Sequence, residues 1–178
     1  MDNEAKDYVY LSNASSRQKE CIRILQDILI NILDGSKVLR IIEKPEANLF
    51  PIAQQQLIEL LALMVKQNDD NKLVITTNSP YVLTVSNNLL IANRVVQKNR
   101  SLESEVTKII PKDCWLNAHD FSAYSLGNQS VGENTNDCQY IFSGEKGTTQ
   151  KNYLDTVRIL KITSQDSYSI HPKTFKKR

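Results

Sequence analysis

Glycine is scarce in this chain: five residues in 178, at Gly35, Gly127, Gly132, Gly144 and Gly147. A phosphate-cradling loop of the form G-x-x-x-x-G-K-[ST] needs its glycines so that backbone N–H groups can close on the anion. No stretch here has that order. The nearest composition, GEKGTT from Gly144 to Thr149, carries the residue types scrambled and reads as a turn. Cysteine is limited to Cys21, Cys114 and Cys138, odd in number and without a C-x-x-C pair, and histidine to His119 and His171. That supply excludes a sequence-evident zinc site or disulfide framework. Long apolar runs are missing too. The most apolar helical stretch, Cys21 to Leu33, is broken by Arg23, Gln26 and Asp27, so no membrane span is expected, and neither is a signal core at the N-terminus. A cytoplasmic, reducing location follows as the expectation.

Charge of one sign is also lacking. Twenty-two Lys and Arg against 20 Asp and Glu leave a net charge of +2, which implies no strongly basic surface and leaves nucleic acid a possible but unsupported partner. The one concentrated run, KTFKKR at Lys173 to Arg178, reads as a solvated terminus, with nucleic-acid contact as the minor alternative. An apolar fraction of 40% and a charged fraction of 24% are ordinary for a folded domain and argue against wholesale disorder. We therefore expect one domain over residues 1–178.

Periodicity gives an α/β order. Cys21, Ile22, Leu25, Leu29, Ile32 and Leu33 recur at spacings of three and four, predicting a helix from about Ser16 to Asp34 that ends at Gly35. Val38 to Glu43 is a strand. Pro51 or Ile52 opens a helix to about Asn68, with Leu57, Leu60, Leu61 and Met64 inward. Leu73 to Thr77 reads as a central parallel strand buried on both faces. Pro80 starts a helix through Ile91 with Tyr81, Val82, Val85, Leu89 and Leu90 inward. Strand, helix, strand, helix with short turns favours parallel pairing. From about residue 98 a small α+β elaboration follows. Glu105 to Ile110 and Gln139 to Phe142 are expected strands, the latter pairing with Tyr124 to Leu126. Gly127 to Asp137 is a loop, and Tyr153 to Ile162 a terminal helix. Trp115 and Tyr124 read as core or edge packing.

The stretch with most chemistry in it is Arg40 to Pro51, RIIEKPEANLFP. An apolar strand delivers Glu43 to its end, and a Pro turn leads through Leu49 and Pro51 into a helix. Taken alone this is either a common strand-to-helix connection or a nucleotide-hydrolysis segment. As a hydrolysis segment it resembles the Walker B region of ABC-type ATPases, in particular the bacterial AAA-like branch related to RecF, SMC proteins and OLD-family nucleases. There two acids precede Pro-Glu-Ala-His-Leu. The first carboxylate holds Mg2+ and the second polarises the water that attacks the γ-phosphate. In this chain the second acid is Lys44 and the His is Asn48. An ammonium beside phosphate keeps its proton and cannot act as a base.

Three further segments resemble the same branch in the same order. LSNASSRQKE, Leu11 to Glu20, is similar to its signature, with Ser15, Ser16, Arg17 and Gln18 matching and Arg17 in a glycine position. Ser15 and Ser16 also read simply as helix caps. LVITTNSPYVL, Leu73 to Leu83, is similar to the switch strand, with Asn78 in place of the switch His; Asn78 can donate a hydrogen bond to phosphate but cannot carry a proton. NAHDFSAYSL and NYLDTVRIL, within Leu116 to Leu160, resemble the family's C-terminal tail.

The resemblance implies a P-loop NTPase-like partial parallel sheet flanked by helices, corresponding to the C-terminal half of such an ATPase and lacking Walker A. It implies nucleotide contacts at Ser15, Ser16, Arg17, Gln18 and Asn78, a metal contact at Glu43, and no intact catalytic residue. ATP and Mg2+ are expected only with a partner that supplies Walker A, either a homo-oligomer or an ATPase subunit, and none for the isolated chain. Three functions remain open at this point. They are a degenerate ATP-binding module acting in trans, a non-enzymatic interaction scaffold on the ATPase fold, and a fragment of an active ATPase completed by a separate N-terminal piece.

Overall fold

The computed structural model describes residues 10–47, 49–126, 138–149 and 157–163. Helix α1, Ser16–Asp34, runs into the short strand β1, Leu39–Glu43, through a turn at Gly35. Gly35 takes φ 64° and its N–H donates to the Asn31 carbonyl at 3.1 Å, a left-handed cap that a side chain would strain. There follow α2, Pro51–Lys66; β2, Lys72–Thr77; α3, Pro80–Lys98; and α4, Glu103–Ile109. The remaining elements are strands: β3, Phe121–Leu126; β4, Cys138–Tyr140; β5, Phe142–Ser143; β6, Thr148–Thr149; and β7, Val157–Thr163. Pro51 and Pro80 each occupy the first turn of a helix, where the missing N–H costs nothing.

Five strands form one mixed sheet in the order β1-β2-β7-β3-β4, and β5 and β6 make a separate hairpin. The β1–β2 pair is parallel, as the α/β alternation leads one to expect, and β3 and β4 pair antiparallel through Tyr124 and Tyr140. Of GEKGTT, the first four residues, Gly144 to Gly147, form the turn expected there, joining β5 to β6, and Thr148–Thr149 are β6 itself.

Several expectations give way. Glu105 to Ile110 lies in helix α4 and its exit, not in a strand. Its β-branched residues suggest a strand, but Glu103 and Glu105 in the first turn and Lys108 in the last match a helix dipole. The expected helix at Tyr153 to Ile162 is, over its described part, the strand β7, antiparallel to both β2 and β3. Leu154, Val157 and Leu160 imitate a helical stripe, yet Leu160 and Ile162 alternate into the core. The Gly127 to Asp137 loop, the KTFKKR tail and Asn48 lie outside the described residues.

One apolar core gathers Ile28 of α1, Leu57, Ile58, Leu61, Met64 and Val65 of α2, Val82, Leu89 and Leu90 of α3, and Leu73, Ile75, Phe121, Ala123, Leu160 and Ile162 of the sheet. Ile24, Ile32 and Ile42 pack against it. Thus the inward face of α1 is Ile24, Ile28 and Ile32, while Leu25, Leu29 and Leu33 of the expected stripe are exposed. Leu60 and Tyr81 are exposed as well. Trp115 is buried against Ala92 and Val96 and donates its indole N–H to the Ile110 carbonyl at 2.9 Å.

The sheet is buried on one face only among the described residues. Register sets Arg40 beside Leu73 and Ile42 beside Ile75 on the core side. Alternation then turns Leu39, Ile41 and Glu43 to the other face, with Lys72, Val74 and Thr76. On that face Leu39 and Ile41 are exposed and Val74 is half-buried, so β2 is central in the sheet but not buried on both sides. No described helix is long and apolar enough to cross a membrane.

Candidate functional site

Two parallel strands end side by side. Glu43 pairs in register with Thr76, and the Lys44 N–H donates to the Thr76 carbonyl at 2.9 Å. The carboxyl ends of β1 and β2 therefore bring Glu43, Lys44 and, two residues past Thr76, Asn78 into one neighbourhood. This is the edge of an open α/β sheet where ligands characteristically bind. Glu43 and Asn78 are exposed there, and Lys44 is half-buried.

Lys44 has φ 45°, in the left-handed region that side chains rarely occupy. The reason is the turn that follows. The Lys44 carbonyl accepts the Ala47 N–H at 2.9 Å, and the Glu46 carbonyl accepts the Leu49 N–H at 3.0 Å. Sequence KPEA thus leaves the strand abruptly, and the position after Glu43 is a bend rather than a strand residue.

Beneath this rim lies a polar network that the sequence did not single out. Glu46 and Thr77 are both buried, and the Thr77 hydroxyl donates to Glu46 Oε1. Thr77 Oγ1 accepts the Ser79 N–H at 3.0 Å, Ser79 Oγ donates to Gln54 Oε1 at 2.7 Å, and Gln54 Nε2 donates to the Leu49 carbonyl at 2.8 Å. Ser79 Oγ also caps α3 by accepting the Tyr81 N–H. Four segments are locked together in this way: the turn after β1, the end of β2, and the starts of α2 and α3. Glu46 Oε2 and Thr76 Oγ1 are buried in the protein without a hydrogen-bond partner. The Pro-Glu dipeptide after the strand was the sequence signal for Glu46, but burial of a carboxylate cannot be read from a turn.

At the start of α1, Ser15 and Gln18 form a capping box. Ser15 Oγ accepts the Gln18 N–H at 3.2 Å and Gln18 Oε1 accepts the Ser15 N–H at 2.8 Å. Ser16 and Arg17 follow in the first helical turn, where their N–H groups have no intrahelical acceptor. Arg40 Nη2 donates to Asp27 Oδ1 at 2.7 Å, which ties α1 to β1. The capping bonds of Ser15 and Gln18 are local to α1, so this turn is a second, separate cluster.

The described residues hold no group of three or more His, Cys, Asp or Glu placed to share a metal ion. A lone carboxylate at the Glu43 position suits Mg2+ only as one contact completed by phosphate and water. A cavity of about 450 Å3 beside Trp115, with Arg100, Glu103 and Lys112 on its wall, lies at the C-terminal end of α3, away from the strand ends. The fold and the site define an α/β protein with a mixed sheet. No family model, curated protein or solved structure matches the chain.

Proposed function

We propose that this chain is a degenerate module of the ABC-type ATPase class, with a P-loop NTPase-like core, that contributes to nucleotide binding only in trans. The observation that carries the reading is the Glu43–Thr76 register. It sets the Walker B-like and switch-like segments on adjacent parallel strands with their carboxyl ends together, the arrangement a shared Mg2+ and γ-phosphate require. In this reading Glu43 contacts the metal, Asn78 donates to the γ-phosphate, and the turn at Ser15, Ser16, Arg17 and Gln18 faces the nucleotide of a Walker A-bearing partner. When bound, Mg2+ neutralises charge on the phosphates. Lys44 supplies no base for water attack, and its bent backbone sets it apart from a residue continuing the strand.

The test is to restore Lys44→Glu and Asn78→His in a complex with a Walker A-bearing subunit. Increased ATP hydrolysis supports the module in trans, and unchanged hydrolysis with an intact complex sinks it. A second reading, a non-enzymatic scaffold, is favoured by one observation. Strand β2 is already paired on both sides, by β1 and β7, so no further strand can join beside the switch-like segment.

A further inference from the structure

α1 and β1 carry several of the apolar residues that the core leaves out. Leu29, Ile30 and Leu33 of the helix and Leu39 and Ile41 of the strand are 56%, 63%, 77%, 62% and 71% exposed. The helix residues lie on the core side of the sheet, where Asp27 of α1 holds Arg40, and the strand residues on its open face, so exposed apolar side chains accompany the β1 edge on both sides. β1 is also an edge strand, paired only to β2 among the described residues.

Its free edge has a definite register. The Val38 carbonyl accepts the Lys72 N–H, and the Lys44 N–H donates to Thr76, so the even-numbered residues bond inward to β2. The N–H and C=O groups of Leu39, Ile41 and Glu43 therefore point outward, a ladder ready for another strand. These same residues turn their side chains to the open face of the sheet. The segment from Lys37 to Glu43 is complementary to its own reverse. Centred on Arg40 in an antiparallel pair, Leu39 meets Ile41 of the other copy and Lys37 meets Glu43, each contact occurring twice.

We propose that a second copy of this chain occupies the surface, through a two-fold β1–β1 edge pair that extends the sheet and brings the exposed faces of the two α1 helices together. Self-complementarity selects a copy over an unrelated strand, because an isologous contact must place each residue type against its own partner. Arg40 lies nearest the two-fold axis with a like charge opposite, but each guanidinium is already neutralised by Asp27 of its own helix at 2.7 Å. Lys37 is bonded to Asp70 and keeps further ammonium donors for a carboxylate across the edge. This dimer stands independently of any nucleotide contact.

The experiment is sedimentation equilibrium of the full chain together with Ile41→Lys, Leu29→Asp, Lys37→Glu, Glu43→Lys and the Lys37→Glu/Glu43→Lys double variant. The parent chain is expected to dimerise. Ile41→Lys and Leu29→Asp should weaken the dimer by at least about tenfold while circular dichroism and melting stay unchanged, since both side chains are exposed. Either charge reversal alone should weaken it, and the double variant should recover it, because swapping both partners restores the pair. A parent chain that remains monomeric overturns the proposal. So does a dimer indifferent to Ile41→Lys and Leu29→Asp, or a double variant no better than the single reversals.

Discussion

The buried hydroxyl of Thr77 donates to the buried carboxylate of Glu46, tying the turn after β1 to the end of β2. Only one carboxylate oxygen is satisfied, since Oε2 is buried without a partner. A buried carboxylate oxygen without a partner is costly, so the two halves of the contact should respond differently to substitution. Glu46→Gln keeps the acceptor and removes the charge, and is expected to leave stability unchanged or raise it. Thr77→Val strands the carboxylate and is expected to cost about 1–3 kcal/mol. Urea unfolding of the two variants decides between them.

Lys44 has φ 45°, so its neighbours impose a backbone that costs an L-residue about 1–2 kcal/mol. Asparagine and glycine tolerate that conformation, whereas a β-branched side chain does not. Lys44→Gly is expected to match or exceed the parent in thermal stability, and Lys44→Val to fall below it by about 1–2 kcal/mol. Equal melting of the two variants would argue against the bend.

Asn87 on α3 holds the β5–β6 hairpin. Its Oδ1 accepts both the Thr149 N–H at 2.8 Å and the Thr149 hydroxyl at 3.0 Å, and Arg94 nearby donates to the Glu145 and Lys146 carbonyls. Thr149 is buried, so Asn87→Ala leaves a donor pair without an acceptor and should cost about 1–3 kcal/mol. Arg94→Ala, acting on exposed carbonyls, should cost less. Chemical denaturation, with amide exchange of the hairpin as the local readout, checks the order.

Burial pushes the Cys114 thiol up, with the Glu59 carboxylate adding to the effect and the Lys66 ammonium opposing it. Because the folded value lies above the unfolded one, the unfolded chain releases the proton first. The stabilising contribution is thus full below the ordinary thiol range of about 8.5 and is lost as pH rises beyond it. Lys66, whose pKa burial lowers, has the opposite sign: it favours the fold as pH rises towards its ordinary range. The stability gap between the parent and Cys114→Ala should therefore narrow from about pH 8 to about pH 10, while Lys66→Met should lose the opposing slope. A gap that widens over that interval contradicts the assignment for Cys114.

The elements most legible in the sequence were those with both a period and a boundary signal. Ser15 and Gly35 bracket α1, Pro51 and Pro80 open α2 and α3, and the short turns between β1 and β2 units dictate their parallel pairing. Which stripe of α1 turns inward was not legible, because Ile24, Ile28 and Ile32 compete with an equally regular Leu25, Leu29 and Leu33. The C-terminal half was misread where local preference and tertiary pairing disagree. Arg158 to Thr163 becomes a strand because the edges of β2 and β3 accept it on both sides, a condition set by distant residues. At the site, the positions of Glu43, Lys44 and Asn78 at strand ends followed from the motif layout. The burial of Glu46 and the bend at Lys44 depend on how the turn packs against Thr77, and nothing local announces that.

A calorimetric titration of the isolated chain with ATP and Mg2+ tests the central claim most directly. With no G-x-x-x-x-G-K-[ST] stretch in the sequence and a lysine after Glu43, no tight binding is expected. Low-micromolar affinity for the chain alone would contradict the account of a module that meets nucleotide only in trans.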